Sequence, residues 1–597
     1  GLSSSITGTL SWYSGGGGGA GLSFIGGIGG KGGGGGGASN VTPGAGGLGG
    51  GSAGLTNNGG NAAANTGGGG GGAQSSGNGF TGGIGGAGGS GIVVVRYMGG
   101  SAATGGTVTS GTGTADGYTL HTFTTTGSTN LNFNAASPVF SGVISGTGSL
   151  TADATGGSIT LSGNNTYSGT TTISGGTLKI GSGGTSGSLG SGAITNNSAL
   201  AFNRSDSLTV ATVIGGIGTL EQAGTGVTIL TAANTYNGAT TITSGTLAIT
   251  AASGLGSIAN GTTIANGASL DIRGVAVGNE TITLNGGTLK TTTGTSSLTG
   301  TVALGGNSTL DVSGTQLTLN GVISGSFALT NSGTGITVLT AANTYTGTTT
   351  ISAGTVAITN ASALGTTGSG TTIASGASLD IRGVAVGNEA ITLNGGSIKT
   401  TTGTASLSGN VAMGGNSTVD VSGTQLTLGG VVSGSFGLLA SGTGVSVLTG
   451  TNTYTGATTV RNGKLVVNGS IATSSGLTVE STGTLGGTGS LPATSVAGLH
   501  SPGNSPGLQT VQGNLSYGAT GVLRWELNGQ SATSGDRGVV YDSINVNNGA
   551  LSITSGATID LVLNGTGSTV DFSNAFWGQD REWQVIAPTG STTIDPA

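Results

Sequence analysis

A step of 109 residues limits what this chain can fold into. The segment LTAANTYNGATTITSGTL at residues 230–247 returns as LTAANTYTGTTTISAGTV at 339–356 and as LTGTNTYTGATTVRNGKL at 448–465. Asn-Thr-Tyr therefore begins at Asn234, Asn343 and Asn452. An earlier relative, LSGNNTYSGTTTISGGTL, stands at 161–178. Other segments keep the same step: LDIRGVAVGNE at 270–280 recurs unchanged at 379–389, and GNSTLDVSGTQLTL at 306–319 recurs as GNSTVDVSGTQLTL at 415–428. A fixed period of this kind means stacked equivalent units rather than one globular core. Inside each unit, short runs such as Thr281-Ile282-Thr283-Leu284 alternate with Gly, Asn-Gly or Ser-Gly. The runs turn one side chain in and the next out, as strands do. The gaps are too short for helices, which excludes a doubly wound α/β fold.

The solution that fits is an all-β chain forming a right-handed parallel β-helix, or β-solenoid. Each coil is a few short strands with Leu, Ile and Val inward, and stacking coils buries those side chains continuously. Outward Thr and Asn are expected to ladder like on like at the strand spacing of about 4.8 Å. With coils of about 20 residues, one repeat is about five coils and the repeat region is about 90–100 Å long. Charge supports a structural surface. Only 5% of residues are charged and the net charge is −6, against about 25% charged in ordinary domains. So weak and dispersed a field excludes nucleic acid and anionic membranes as partners. No apolar run approaches the roughly 20 residues that cross a bilayer, so no direct membrane insertion is expected. Cysteine is absent, leaving no disulfide framework and no thiolate chemistry. The chain opens at Gly1 without an initiator Met or an apolar leader, as a processed or partial product would.

The Leu-Thr-x-x-Asn-Thr-Tyr-x-Gly-x-Thr-Thr-Ile-x-x-Gly-Thr-Leu pattern resembles the autotransporter-associated β-strand repeat of bacterial passenger domains. SPGNSPG at 501–507 resembles the turn that follows such repeats, and YDSINV at 541–546 with residues 550–563 resembles the terminal strands of those passengers. The resemblance covers about residues 138–590 and implies secretion to the cell surface. No translocator barrel follows Ala597, so the secretion route is not legible.

Residues 1–98 differ from the rest. The first hundred positions hold 44 of the 134 glycines, and Lys31 and Arg96 are their only charges. A flexible linker is one reading. The other is a packed domain of polyglycine-II type, in which bare backbones bond to one another. SGGGGGAG at 14–21 and GSGIVVVRY at 89–97 resemble the glycine-rich domain of phage tail fibres and large bacterial surface proteins, and DGYTLHTFTT at 116–125 resembles its opening strands. The expected order is a glycine-rich domain (1–98), a β-strand connector (99–137), the solenoid (138–515) and a β-rich C-terminal cap (516–597).

Catalytic chemistry finds little support. His121 and His500 are the only histidines, and the neighbours of His500, Ser501 and Pro502, do not make a triad, which needs separated groups converging in space. Zinc lacks Cys and a His pair, and no Gly-Lys-Ser/Thr triplet opens a phosphate loop. Asp271 with Arg273 and Asp380 with Arg382 look like acid–base pairs, yet they occupy the same place in two copies. An active site is built once, whereas a structural ion pair is copied with its repeat; Asp311 and Asp420 fall to the same argument. No cofactor, metal or catalytic residue is assigned.

The C-terminal part is richer in chemistry, with Arg524, Glu526, Asp536, Arg537, Asp542, Asp580, Arg581 and Glu582. Trp525, Trp577 and Trp583 are its candidate ligand or cap residues: either they stack sugars beside Glu526 and Asp542, or they plug the end of the solenoid. Asn234, Tyr236, Asn343, Tyr345, Asn452 and Tyr454 are read as structural corners of the repeat. The leading expectation is a secreted, non-enzymatic subunit of a surface fibre that self-associates into a homopolymer. A surface adhesin holding glycans or neighbouring cells through its non-repeating ends is the alternative, and a polysaccharide-active enzyme stands third.

Overall fold

The computed structural model describes residues 2–4, 11–20, 25–31, 33–39, 42–47, 51–55, 58–74, 83–98, 103–104, 106–110, 118–123, 132–133, 137–563 and 571–595. The fold is all-β, a parallel solenoid of about 18 turns. Among the described residues the only helical turns are single 3-10 turns at Ser534–Asp536 and Ala575–Gly578. The chain divides into two compact units, Gly1–Thr262 and Thr263–Ala597.

The first unit begins with glycine segments tied side by side through their backbones. Gly18 N–H donates to Gly35 O, Gly35 N–H to Gly69 O, Gly69 N–H to Gly15 O and Gly72 N–H to Gly18 O. Side chains are excluded there for a measurable reason. A Cβ on Gly35 would lie 1.8 Å from Gly60 O, and one on Gly18 would lie 1.9 Å from Gly27 O. Contacts that close are open only to glycine. Val93–Met98 then pairs antiparallel with Tyr118–Phe123, which pairs with Thr107–Ser110. The SGGGGGAG and DGYTLHTFTT segments reach partly outside the described residues, at Gly21, Asp116, Gly117, Thr124 and Thr125. Solenoid coils follow within this unit, with Ser207–Val210 pairing parallel to Val227–Leu230 and that strand to Thr246–Ile249.

The second unit is a solenoid with three faces per coil. On the first face Ile282–Asn285 stacks under Val302–Gly306 and Ile323–Gly325. On the second, Thr288–Thr291 stacks under Ser308–Val312 and Leu329–Ser332. On the third, Thr295–Leu298 stacks under Gln316–Leu319 and Ile336–Leu339. Every pairing is parallel, because the chain always circles in one direction. The burial of Gln316–Leu319 alternates, with Leu317 and Leu319 inward and Thr318 between them half-buried. Coils in the repeat region take between 19 and 23 residues, as in Ile336↔Thr355 and Thr355↔Ser378.

The columns run on through the region beyond residue 515. Leu515–Tyr517 pairs with Leu551–Ile553, and Val522–Leu527 with Thr558–Leu563. The coils lengthen instead of ending: Leu508 meets Ser543, and Ile544 meets Ile586. The added length forms loops at 528–542 and 571–585, and these loops carry Trp577 and Trp583.

Candidate functional site

The corners of the repeat resolve into a backbone clamp. Asn343 Oδ1 accepts a hydrogen bond from Ile323 N (2.8 Å) in the coil before, and its Nδ2 donates to Ala363 O (2.6 Å) in the coil after. Asn234 does the same with Ile214 N (2.9 Å) and Gly254 O (2.7 Å). Asn452 accepts from Val432 N (2.8 Å) and donates to Ser470 O (3.0 Å). Asn165 of the earlier relative joins Ile144 N to Ser188 O in the same way. The expected Asn ladder is therefore absent at these corners. Equivalent asparagines lie a whole repeat apart, so no two of them can touch, and each satisfies backbone groups of its neighbouring coils instead. Tyr236, Tyr345 and Tyr454 are fully buried and share a hydrogen with the Thr hydroxyl four residues on, at 2.6, 2.7 and 2.7 Å. Burial pushes the Tyr454 phenol up to about 12, so it stays protonated and works as a tie.

The repeated Asp-Arg pairs are built alike. Asp271 Oδ2 meets Arg273 Nε at 2.7 Å and Thr292 Oγ1 at 2.8 Å, and Oδ1 accepts from Thr292 N. Asp380 repeats this with Arg382 and Thr401 at the same 2.7 and 2.8 Å. Both carboxylates are sealed from solvent and pin a turn to the next coil. His500 is sealed too, between Tyr517 OH (2.8 Å) and Gln509 Oε1 (2.6 Å), and burial brings it down to about 4. Among the described residues no three of His, Cys, Asp and Glu gather as a metal site. Among the described residues no helix is long and apolar enough to cross a membrane.

The C-terminal end is the part with chemistry open to solvent. Trp525 is in the core at 5% exposure, its indole N–H donating to Asp542 O (2.8 Å), with Tyr541 on one side and Trp583 edge-on at 5.7 Å. Its remaining surface contributes to the floor of the apolar cleft described below. Trp577 and Trp583 are half-buried, 6.1 Å apart, and anchored by N–H bonds to Asp571 O and Ser531 O. Phe572 and Phe576 extend this aromatic surface, with the Arg581 guanidinium 4.3 Å from the Phe576 ring centre. An apolar cleft of about 330 Å³ opens beside Trp577 and Trp583 over Ile559, Leu561 and Leu563. Sequence reading missed these aliphatics. They pair with Leu523, Trp525 and Leu527 and point the same way, inward. Yet Ile559 and Leu561 are 58% and 62% exposed, because among the described residues no further strand stacks on Thr558–Leu563. Their alternating pattern marks a strand, but a last strand looks no different from an inner one.

Asp542, placed by the sequence beside a possible sugar site, is a buried brace. Its Oδ1 accepts from Gly507 N (2.7 Å) and its Oδ2 from Glu526 N (3.1 Å). Burial, aided by the Glu526 charge, pushes it up to about 7. Glu526 Oε2 is buried beside it without a hydrogen-bond partner.

Four segments, 156–180, 220–249, 329–358 and 438–467, match the passenger-associated-transport-repeat family. They contain the Thr-Thr-Ile strands whose stacking is described above. These segments are β-repeats of the passenger type. The adhesin BmaC autotransporter of Brucella suis biovar 1 is 40% identical over 83 residues, which is 14% of this chain and 2% of that protein. No solved structure matches.

Proposed function

We propose that this passenger-type chain is part of a non-enzymatic surface adhesin, displayed outside the cell, whose contact surface is the C-terminal aromatic end. The similarity to an adhesin autotransporter supports an adhesin over a fibre subunit, for which no relative speaks. The carrying observation in the fold is the apolar cleft between Trp577, Trp583, Ile559 and Leu561. Half-exposed indoles anchored through their N–H groups offer rigid flat faces, which suit the apolar faces of sugar rings or of a partner protein's side chains. The sealed His500 and the paired Asp271 and Asp380 leave the repeat region with a structural part to play.

Binding of the purified chain to a glycan array and to whole cells tests this. Trp577→Ala and Trp583→Ala are expected to lower binding at least tenfold while circular dichroism stays that of the parent. Unchanged binding in both variants would refute the site. Binding carried by the glycine-rich segment alone would move the contact surface to the other end.

A further inference from the structure

The repeat does not come back in line with itself. Starting at Leu329 on the second face of the second unit, successive pairings lead through Thr349, Thr371, Ile391 and Val411 to Val432. Those five pairings complete five coils. Leu438 is the equivalent of Leu329 one 109-residue step on, and it lies beyond Val432, on the third face, paired with Ser417.

The displacement is the same wherever it is followed. Ile282 is on the first face, but its equivalent Ile391 is on the second. Thr288 is on the second and its equivalent Ser397 on the third. Thr295 is on the third, and its equivalent Thr404 stands in the strand that follows the third face and precedes the second, which is the first face again. One repeat therefore equals five coils and one further face.

We infer that each repeat is a rotating spacer. It carries the chain forward by about 26 Å, five and a third coils at about 4.8 Å each, and turns whatever follows by about a third of a turn. The three faces make this tolerable, because each receives the same kind of short strand with Leu, Ile or Val inward. Exposed features copied with the repeat consequently point in different directions. Phe327 and its equivalent Phe436, 40% and 39% exposed, sit at successive corners. A flat partner cannot engage both at once. Adding or losing one repeat redirects the C-terminal aromatic end, and three repeats are needed to restore its original direction. This holds whatever that end binds.

The absence of cysteine lets spin labels be placed at will. In the intact chain, Asn320→Cys with Ser422→Cys spans five coils along one corner, each two residues past the ends of the paired series Thr318, Val338, Ala357, Asp380, Lys399 and Asp420. Asn320→Cys with Gly429→Cys joins positions one repeat apart. A face of six or seven residues is about 20 Å wide, so the expected separations are about 24 Å for the first pair and about 32 Å for the second. Equal separations would overturn the inference.

The second arm removes residues 330–438, joining Leu329 to Leu439, with labels at Asn320 and Asn462. Loss of five coils with a turn of one face leaves the labels about 21 Å apart, whereas loss without rotation leaves about 10 Å. The shorter distance also overturns the inference. If the shortened chain does not fold, the intact pairs decide alone.

Discussion

Asn343→Ala should be the most damaging small substitution in the repeat. The side chain joins Ile323 N–H to Ala363 C=O, and both lie in a corner where Asn343 is 4% exposed. Alanine leaves both backbone groups buried without partners, at about 1–3 kcal/mol each. Some water entry into the vacated space lowers the total, giving about 3 kcal/mol. A long stacked array does not unfold in one step, because each coil contacts only its neighbours. Native-state hydrogen exchange therefore reads the effect better than a melting curve. At about 1.4 kcal/mol per factor of ten, the Ile323 amide should exchange about a hundredfold faster. Tyr345→Phe supplies the internal scale. It removes one hydroxyl, and Thr349 Oγ1 keeps its long contact to Leu364 O (3.4 Å), so about 1 kcal/mol is expected. Asn320→Ala, at an exposed corner, should change little. Unchanged exchange at Ile323 in Asn343→Ala, or a larger effect from Tyr345→Phe, would refute the clamp.

Two buried groups should give opposing pH dependence. His500, held down to about 4 by burial, contributes stability that is full above its ordinary 6.5 and is lost as pH falls through about 4. Asp542, pushed up to about 7 by burial, contributes stability that is full below its ordinary 3.8 and is lost as pH rises through about 7. Between about pH 4 and 6.5 they work against each other. Urea midpoints across that range should therefore fall with pH in His500→Gln and rise with pH in Asp542→Asn; parallel curves would sink both assignments. Gly35→Ala should open the glycine-rich segment to proteolysis, since its Cβ would lie 1.8 Å from Gly60 O; unchanged digestion would show that the segments do not pack side by side. Arg382→Gln should cost about 1–3 kcal/mol by leaving the sealed Asp380 carboxylate short of its charged partner, read as faster exchange at Thr401.

Much of this architecture is local and so was written in the chain. The 109-residue step, the inward Leu and Ile of each run and the Gly at each turn all act within a few residues. They specify parallel stacking without reference to anything distant, and the copied Asp-Arg pairs betray their structural part by being copied. Other features depend on how many residues close one coil, which no single segment states. The one-face advance follows from coils of 19 to 23 residues dividing 109 unevenly. The same non-local count puts equivalent asparagines five coils apart, which turns an expected ladder into a clamp. At the C-terminal end, Trp525 and Trp583 look alike in sequence and both line the cleft, yet the first is buried in its floor and the second is half-buried at its side. Ile559 and Leu561 carry the same pattern as any inner strand, and the cleft is open because no strand among the described residues is stacked on them. Side-chain alternation belongs to the backbone of one strand; exposure belongs to what is stacked upon it.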